Sequence, residues 1–139
     1  MLRFEDVNVG DTAPVLTHTL TRADLIEYAG ASGDFNPMHT DEVAAKEAGM
    51  PSVFGHGMFS AGLLATAMTN WSGVGSVVRY KVRFVKQTWP GEQFETSITV
   101  TSKRQEEGAA FVDVECSLSN ADGEVKVSGE ATLALRARS

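Results

Sequence analysis

Cysteine is almost absent. Cys116 is the one thiol in 139 residues, so no internal disulfide can form and no multi-thiolate zinc site can be built. Stability has to come from packing. Cations are also in short supply, with 12 Lys and Arg against 18 Asp and Glu and a net charge of −6. That balance excludes a general nucleic-acid binder, because neutralising phosphates requires a cationic surface. An export signal is missing too: Met1-Leu2-Arg3-Phe4-Glu5-Asp6 places acids where a signal peptide has its apolar centre, which predicts a cytoplasmic protein. Residues 49–77 contain no Asp, Glu, Lys or Arg, yet Pro51, His56, Asn70 and several Gly and Ser interrupt them. No run of ~18 apolar residues results, so the segment reads as buried interior and no membrane partner is expected.

What is present is ordinary globular composition, 42% hydrophobic and 22% charged, and a length that predicts one domain over 1–139. Val15 to Leu20 reads as a short strand. Thr21 and Asp24 have the spacing of a capping box for a helix from Arg22 to Ala29, with Gly30 as its stop. A loop follows, small or turn-forming apart from Phe35. Thr40, Asp41 and Glu42 then supply a cap and first-turn acids for a short helix to Ala48. From Gly57 to about Asn70 the chain is apolar on nearly every helical side, which predicts a helix buried all round.

After Gly75 the period changes to two. Val78, Tyr80, Val82 and Phe84 alternate with Arg79, Lys81 and Arg83, a strand with one wet face. Phe94, Thr96, Ile98 and Val100 mark a second such strand. Ala110, Val112, Val114, Cys116 and Leu118 mark a third, and Val125, Val127, Leu133 and Leu135 end the sheet beyond the turn at Asn120-Ala121-Asp122-Gly123. The order predicts an α+β fold in which an antiparallel sheet wraps the apolar helix.

The chemistry concentrates in Gly33-Asp34-Phe35-Asn36-Pro37-Met38-His39. Pro37 holds Asn36 out of the helical region, so a carboxylate and an imidazole are presented from the two ends of one fixed bend, with room for a water between them. Taken alone, Gly, Asp, Asn and Pro are simply turn formers. At roughly 5% per residue, however, Gly33, Asp34, Asn36, Pro37 and His39 recur at this spacing by chance only about once in three million starts.

With Tyr28 and Ser32 before it and Ala45 after it, the segment resembles the signature of the MaoC-like dehydratases, the (R)-specific enoyl-CoA hydratase family. Phe54-Gly55-His56-Gly57-Met58 is similar to that family's approach to its central helix, and Arg83-Phe84 with Trp89-Pro90-Gly91-Glu92 to its strand and turn. Gln87 departs from it, standing where relatives often carry proline. The resemblance implies a hotdog fold, five or six antiparallel strands around a long central helix, paired as a homodimer or with a second hotdog chain. It implies reversible hydration of trans-2-enoyl thioesters, on coenzyme A or acyl carrier protein, to (R)-3-hydroxyacyl thioesters. Asp34 and His39 would be the catalytic pair and the Gly57 N–H the oxyanion donor, with no cofactor beyond the thioester's own carrier.

Asn36 would orient Asp34 or the water, and Phe35, His56, Ser60 and Arg83 are further substrate-binding or orienting candidates. For His56 a role in shaping the start of the helix is the leading reading, and for Ser60 a bond back to the helix backbone or a place in the pocket wall. Arg83, with Arg79, Lys81 and Lys86, offers charge for coenzyme A phosphates or else a solvated strand face. No metal is expected, because Asp34 and His39 lack a third ligand and the histidines lack helical spacing. A hotdog thioesterase and a non-catalytic thioester-binding subunit are the competing functions.

Overall fold

Thr21 caps the first long element as the sequence predicts. Its hydroxyl accepts the Asp24 N–H, the Asp24 carboxylate accepts the Thr21 N–H, and α1 (Arg22–Ser32) begins. In this computed structural model, which describes residues 2–137, α1 runs through Gly30. It stops at Gly33, whose φ of 76° turns the chain left-handed while its N–H still reaches the Ala29 carbonyl. Asp41, one residue later than Thr40, caps α2 (Glu42–Glu47) by accepting the Val43 and Ala44 N–H groups. The long helix is α3 (Gly57–Ser72).

Five strands form: β1 (Thr17–Thr19), β2 (Val77–Phe84), β3 (Gln93–Glu106), β4 (Ala109–Asn120) and β5 (Val125–Leu135). They form one sheet in the order β1-β3-β4-β5-β2, every neighbouring pair antiparallel. Phe94, Ile98, Val100, Val112, Val114, Cys116 and Leu118 are buried on its inner face and join Leu64, Ala67 and Met68 of α3 in one core. Burial pushes the Cys116 thiol up to about 11, as suits a packing residue. Among the described residues no helix is long and apolar enough to cross a membrane.

Three local expectations fail. The helix α3 is not buried all round: Met58, Gly62, Thr66 and Asn70, four residues apart, form an exposed stripe because the sheet covers the opposite side. In β2, Val77 faces Leu133 and Arg79 faces Thr132, so Val78 bulges out of register and is 56% exposed. Phe84 is also half exposed, and only Tyr80 and Val82 keep partly buried inward positions.

The third failure is at Lys126. Leu118 faces Val127 and Ser119 faces Val125, so Lys126 is skipped by the ladder and its side chain turns into the protein, 1% exposed. There Nζ donates to the Gln87 carbonyl at 2.9 Å and to Glu124 Oε1 at 2.8 Å, and lies 2.9 Å from Glu92 Oε2. Its own carbonyl accepts the N–H groups of Val85 and Lys86. Residues 85–88 are therefore clamped from both sides. The clamp extends to the head of α3, since the Thr88 carbonyl accepts the Gly55 N–H at 2.8 Å. A Cβ on residue 55 would sit 2.1 Å from Thr88 Oγ1, so only glycine permits that approach.

Candidate active site

Asn36 organises the loop between α1 and α2. Its backbone is extended, as a residue before proline must be, and its Oδ1 accepts the Met38 N–H to start a single 3-10 turn over Pro37–His39. Its N–H donates to Asp34 Oδ1 at 3.3 Å. Asn36 thus orients Asp34 through its backbone, while its side-chain oxygen is used by the turn. Asp34 itself stands half exposed at the rim.

His39 is 8% exposed, and the Phe54 carbonyl lies 2.7 Å from its Nδ1. A carbonyl can only accept, so Nδ1 carries the hydrogen, and in the neutral ring Nε2 holds the free lone pair. That atom is 3.9 Å from Asp34 Oδ2, too far for a direct bond. A water about 2.8 Å from each would donate one proton to the imidazole and the other to the carboxylate. Its own lone pairs would then be free to attack.

Behind His39 lies His56, 1% exposed, its ring stacked on that of His39 with centroids 3.9 Å apart. His56 Nε2–H donates to the Asp34 carbonyl at 3.1 Å, and Tyr28 packs edge-on against the ring at 4.9 Å. Burial holds the His56 pKa below the ordinary imidazole value, outweighing the upward pull of that hydrogen bond. His56 is thus a neutral ring that touches both ends of the pair, stacked on His39 and bonded to the Asp34 backbone. It also supplies what the sequence reading of metals lacked. Donor atoms of Asp34, His39 and His56 all lie within 4.8 Å of one another, so the lack of a third ligand no longer argues against an ion. The hydrogen bonds to Phe54 and Asp34 already employ His39 Nδ1 and His56 Nε2.

His39 borders a cavity of ≈ 300 Å³, walled also by Phe54, Gly57, Ser60, Phe84 and Val127. Gly57 is the first residue of α3, where helical N–H groups have no carbonyl behind them and the helix dipole is positive. The Phe84 ring stands 3.1 Å from where a Cβ on residue 57 would be, so any side chain there would have to push the ring aside. The site is ready to hold a polarised oxygen at Gly57 and a water at the pair.

Of the residues named from sequence, His39, Gly57 and Ser60 meet at this cavity, while Asp34 stands 3.9 Å from His39 and His56 is stacked on the His39 ring. Phe35 does not join them, being 68% exposed on the outside of the loop. Arg83 does not either. Strand alternation puts it with Lys81 on the outer sheet face, beside a separate hollow of ≈ 570 Å³, whereas Lys86, beyond the end of β2, reaches the cavity at His39. Phe54, Thr88 and Lys126 were not foreseen. A lysine inside an otherwise apolar strand repeat was the one available signal for the last of them.

Residues 7–121 match the family described as "MaoC like domain". The chain is 31% identical over 137 residues to the (R)-specific enoyl-CoA hydratase of Rhodospirillum rubrum, covering 97% of this chain and 92% of that protein. It is 29% identical over 133 residues to the 3-hydroxybutyryl-CoA dehydratase of Methylorubrum extorquens, covering 94% and 82%. The unliganded R-hydratase PhaJ1 of Pseudomonas aeruginosa superimposes with a TM-score of 0.88 at 25% identity, over 98% of this chain and 86% of that one. The sheet curled around α3 is the hotdog fold.

Proposed function

The chain belongs to the MaoC-like domain family, and on that premise we propose that it hydrates trans-2-enoyl thioesters, on coenzyme A or acyl carrier protein, to (R)-3-hydroxyacyl thioesters. The observation that carries this reading is the His39 Nε2 lone pair facing the Asp34 carboxylate across 3.9 Å, beside the open N-terminus of α3. Water oxygen attacks Cβ while one of its protons passes to Nε2; the imidazolium then returns that proton to Cα. Asp34 holds the water and steadies the transient cation. The negative charge that collects on the thioester oxygen is met by the Gly57 N–H and the helix dipole. One water enters and no electrons are exchanged, so the reaction calls for no redox cofactor.

Crotonyl-CoA tests the reading. Its conjugated thioester absorbance should fall with no release of free thiol, and the product should give no NADH with an (S)-specific 3-hydroxyacyl dehydrogenase. Thiol release would mark a thioesterase, unchanged absorbance a binding subunit, and rapid NADH formation the opposite face of attack.

The proposal includes a homodimer. β2 is an edge strand with unpaired backbone groups, and Val78, Phe84 and Val85 are exposed on or next to it by 45–56%. A second copy would cover them together with the stripe on α3. Light scattering should give about twice 14.9 kDa; a monomer mass at micromolar protein would remove the dimer, and a mixed dimer with another hotdog chain would then be the remaining way to cover this edge.

A further inference from the structure

α3 carries four hydroxyl side chains, and three of them behave alike. Thr66 donates to the Gly62 carbonyl at 2.8 Å, Thr69 to the Thr66 carbonyl at 3.3 Å and Ser72 to the Met68 carbonyl at 2.7 Å. These three follow the usual habit of helical Ser and Thr, bonding back along the helix. Ser60 does not. It is 2% exposed, and among the described residues its Oγ has no hydrogen-bond partner. The His56 carbonyl, the natural acceptor one turn back, instead receives the N–H groups of Phe59 and Ser60. A buried hydroxyl without a partner costs about 1–3 kcal/mol, so its retention calls for a reason.

Position supplies one. Ser60 is three residues after Gly57, on the same helix face, and helical side chains lean toward the N-terminus, over the preceding turn. The preceding turn here ends in a residue with no side chain. Ser60 and Gly57 accordingly border the same cavity as His39. We propose that the Ser60 hydroxyl is a second oxyanion donor, giving its hydrogen to the thioester carbonyl oxygen alongside the Gly57 N–H. The inference rests on the thioester reading above and deepens it by naming the group that the second donor meets. Two donors converging on one oxygen hold the carbonyl in plane with the double bond, which the hydration needs for charge to flow from Cβ to oxygen. They also strengthen as that charge grows, the property that lowers a barrier instead of merely tightening binding.

Ser60→Ala gives the test, because it removes only the hydroxyl. Hydration of crotonyl-CoA should lose about 10²-fold in kcat/KM, in the range of a single lost oxyanion donor, while the melting temperature stays level or rises, since an unpaired buried polar atom has been deleted. Binding provides a readout free of turnover. Butyryl-CoA, which has the carbonyl oxygen, should bind Ser60→Ala more weakly than wild type. S-butyl-CoA, the thioether without that oxygen, should bind both proteins equally. Full wild-type turnover by Ser60→Ala, or equal weakening for ester and thioether, overturns the donor role and leaves the hydratase reading intact. A melting temperature several degrees lower with a matching activity loss also overturns it, by making Ser60 a structural partner of a buried water. Wild-type protein that binds neither compound would overturn the thioester reading and the donor role together.

Discussion

Replacing His39 by Gln lowers kcat for enoyl-CoA hydration by about 10²- to 10⁴-fold, the usual worth of a positioned acid or base, with little change in substrate binding. Glutamine is close in size and can still donate to the Phe54 carbonyl, which His39 Nδ1 meets at 2.7 Å, but it has no atom that can take a proton from water and give it to Cα. Asp34→Asn should lose a similar factor, because an amide nitrogen turned toward the water repels the proton that the carboxylate accepts. The two losses do not add. On the proposed mechanism both groups hold one water across the 3.9 Å gap between them, so breaking either end would disable the unit and the double variant should be little worse than the poorer single. Steady-state rates of crotonyl-CoA absorbance loss decide the matter. Near-normal kcat in either single variant removes the pair, and fully additive losses remove the shared water.

Lys126→Met is expected to destabilise the protein by about 3–5 kcal/mol, the penalty for removing one partner of a buried ion pair, or roughly 10 °C or more in Tm. Lys126 is 1% exposed, and without it Glu92 loses its counter-ion while the Gln87 carbonyl loses its donor. Adding Glu92→Gln to Lys126→Met should restore part of the loss, because the charge left without a counter-ion is then gone. Acid gives a second signature. Hydrogen bonds from Lys126 and then Lys86 hold Glu124 down to about 2, below its usual 4.5. A carboxyl whose pKa is depressed on folding stabilises the fold above its unfolded value, and that contribution fades as pH falls from 4.5 toward 2. The Lys126→Met variant should show a shallower loss across that window in pH-dependent thermal melts. A variant as stable as wild type would show that the clamp adds nothing.

The sheet was legible wherever burial and alternation agree. Phe94 to Val100 and Ala110 to Leu118 point inward as their spacing requires, because each of those strands has a neighbour on both sides and one face sealed by α3. Legibility failed where one extra residue enters a ladder. At Val78 and Lys126 the register slips, and neither bulge has a glycine or proline to announce it. The loop geometry was readable because Asp34, Asn36, Pro37 and His39 lie within six consecutive residues and are positioned mostly by local bonds. His56 was only half readable. Its stack on His39 joins two segments 17 positions apart, and no local pattern reports such a contact. The state of the Ser60 hydroxyl was less accessible still, since it depends on what fails to approach it.

Every polar group assigned to the reaction lies between Asp34 and Ser60, ahead of the three long strands that begin at Gln93. From those strands, Val127 is the side chain that reaches the cavity wall. Proton handling and pocket depth are therefore written in separate stretches of the chain. On the proposed reaction, exchanges at Val127 of β5 would lengthen or shorten the space left to an acyl tail while Asp34, His39 and the head of α3 remain in place. A scaffold divided in this way can shift from short to long substrates by changing apolar residues alone, without rebuilding its chemistry.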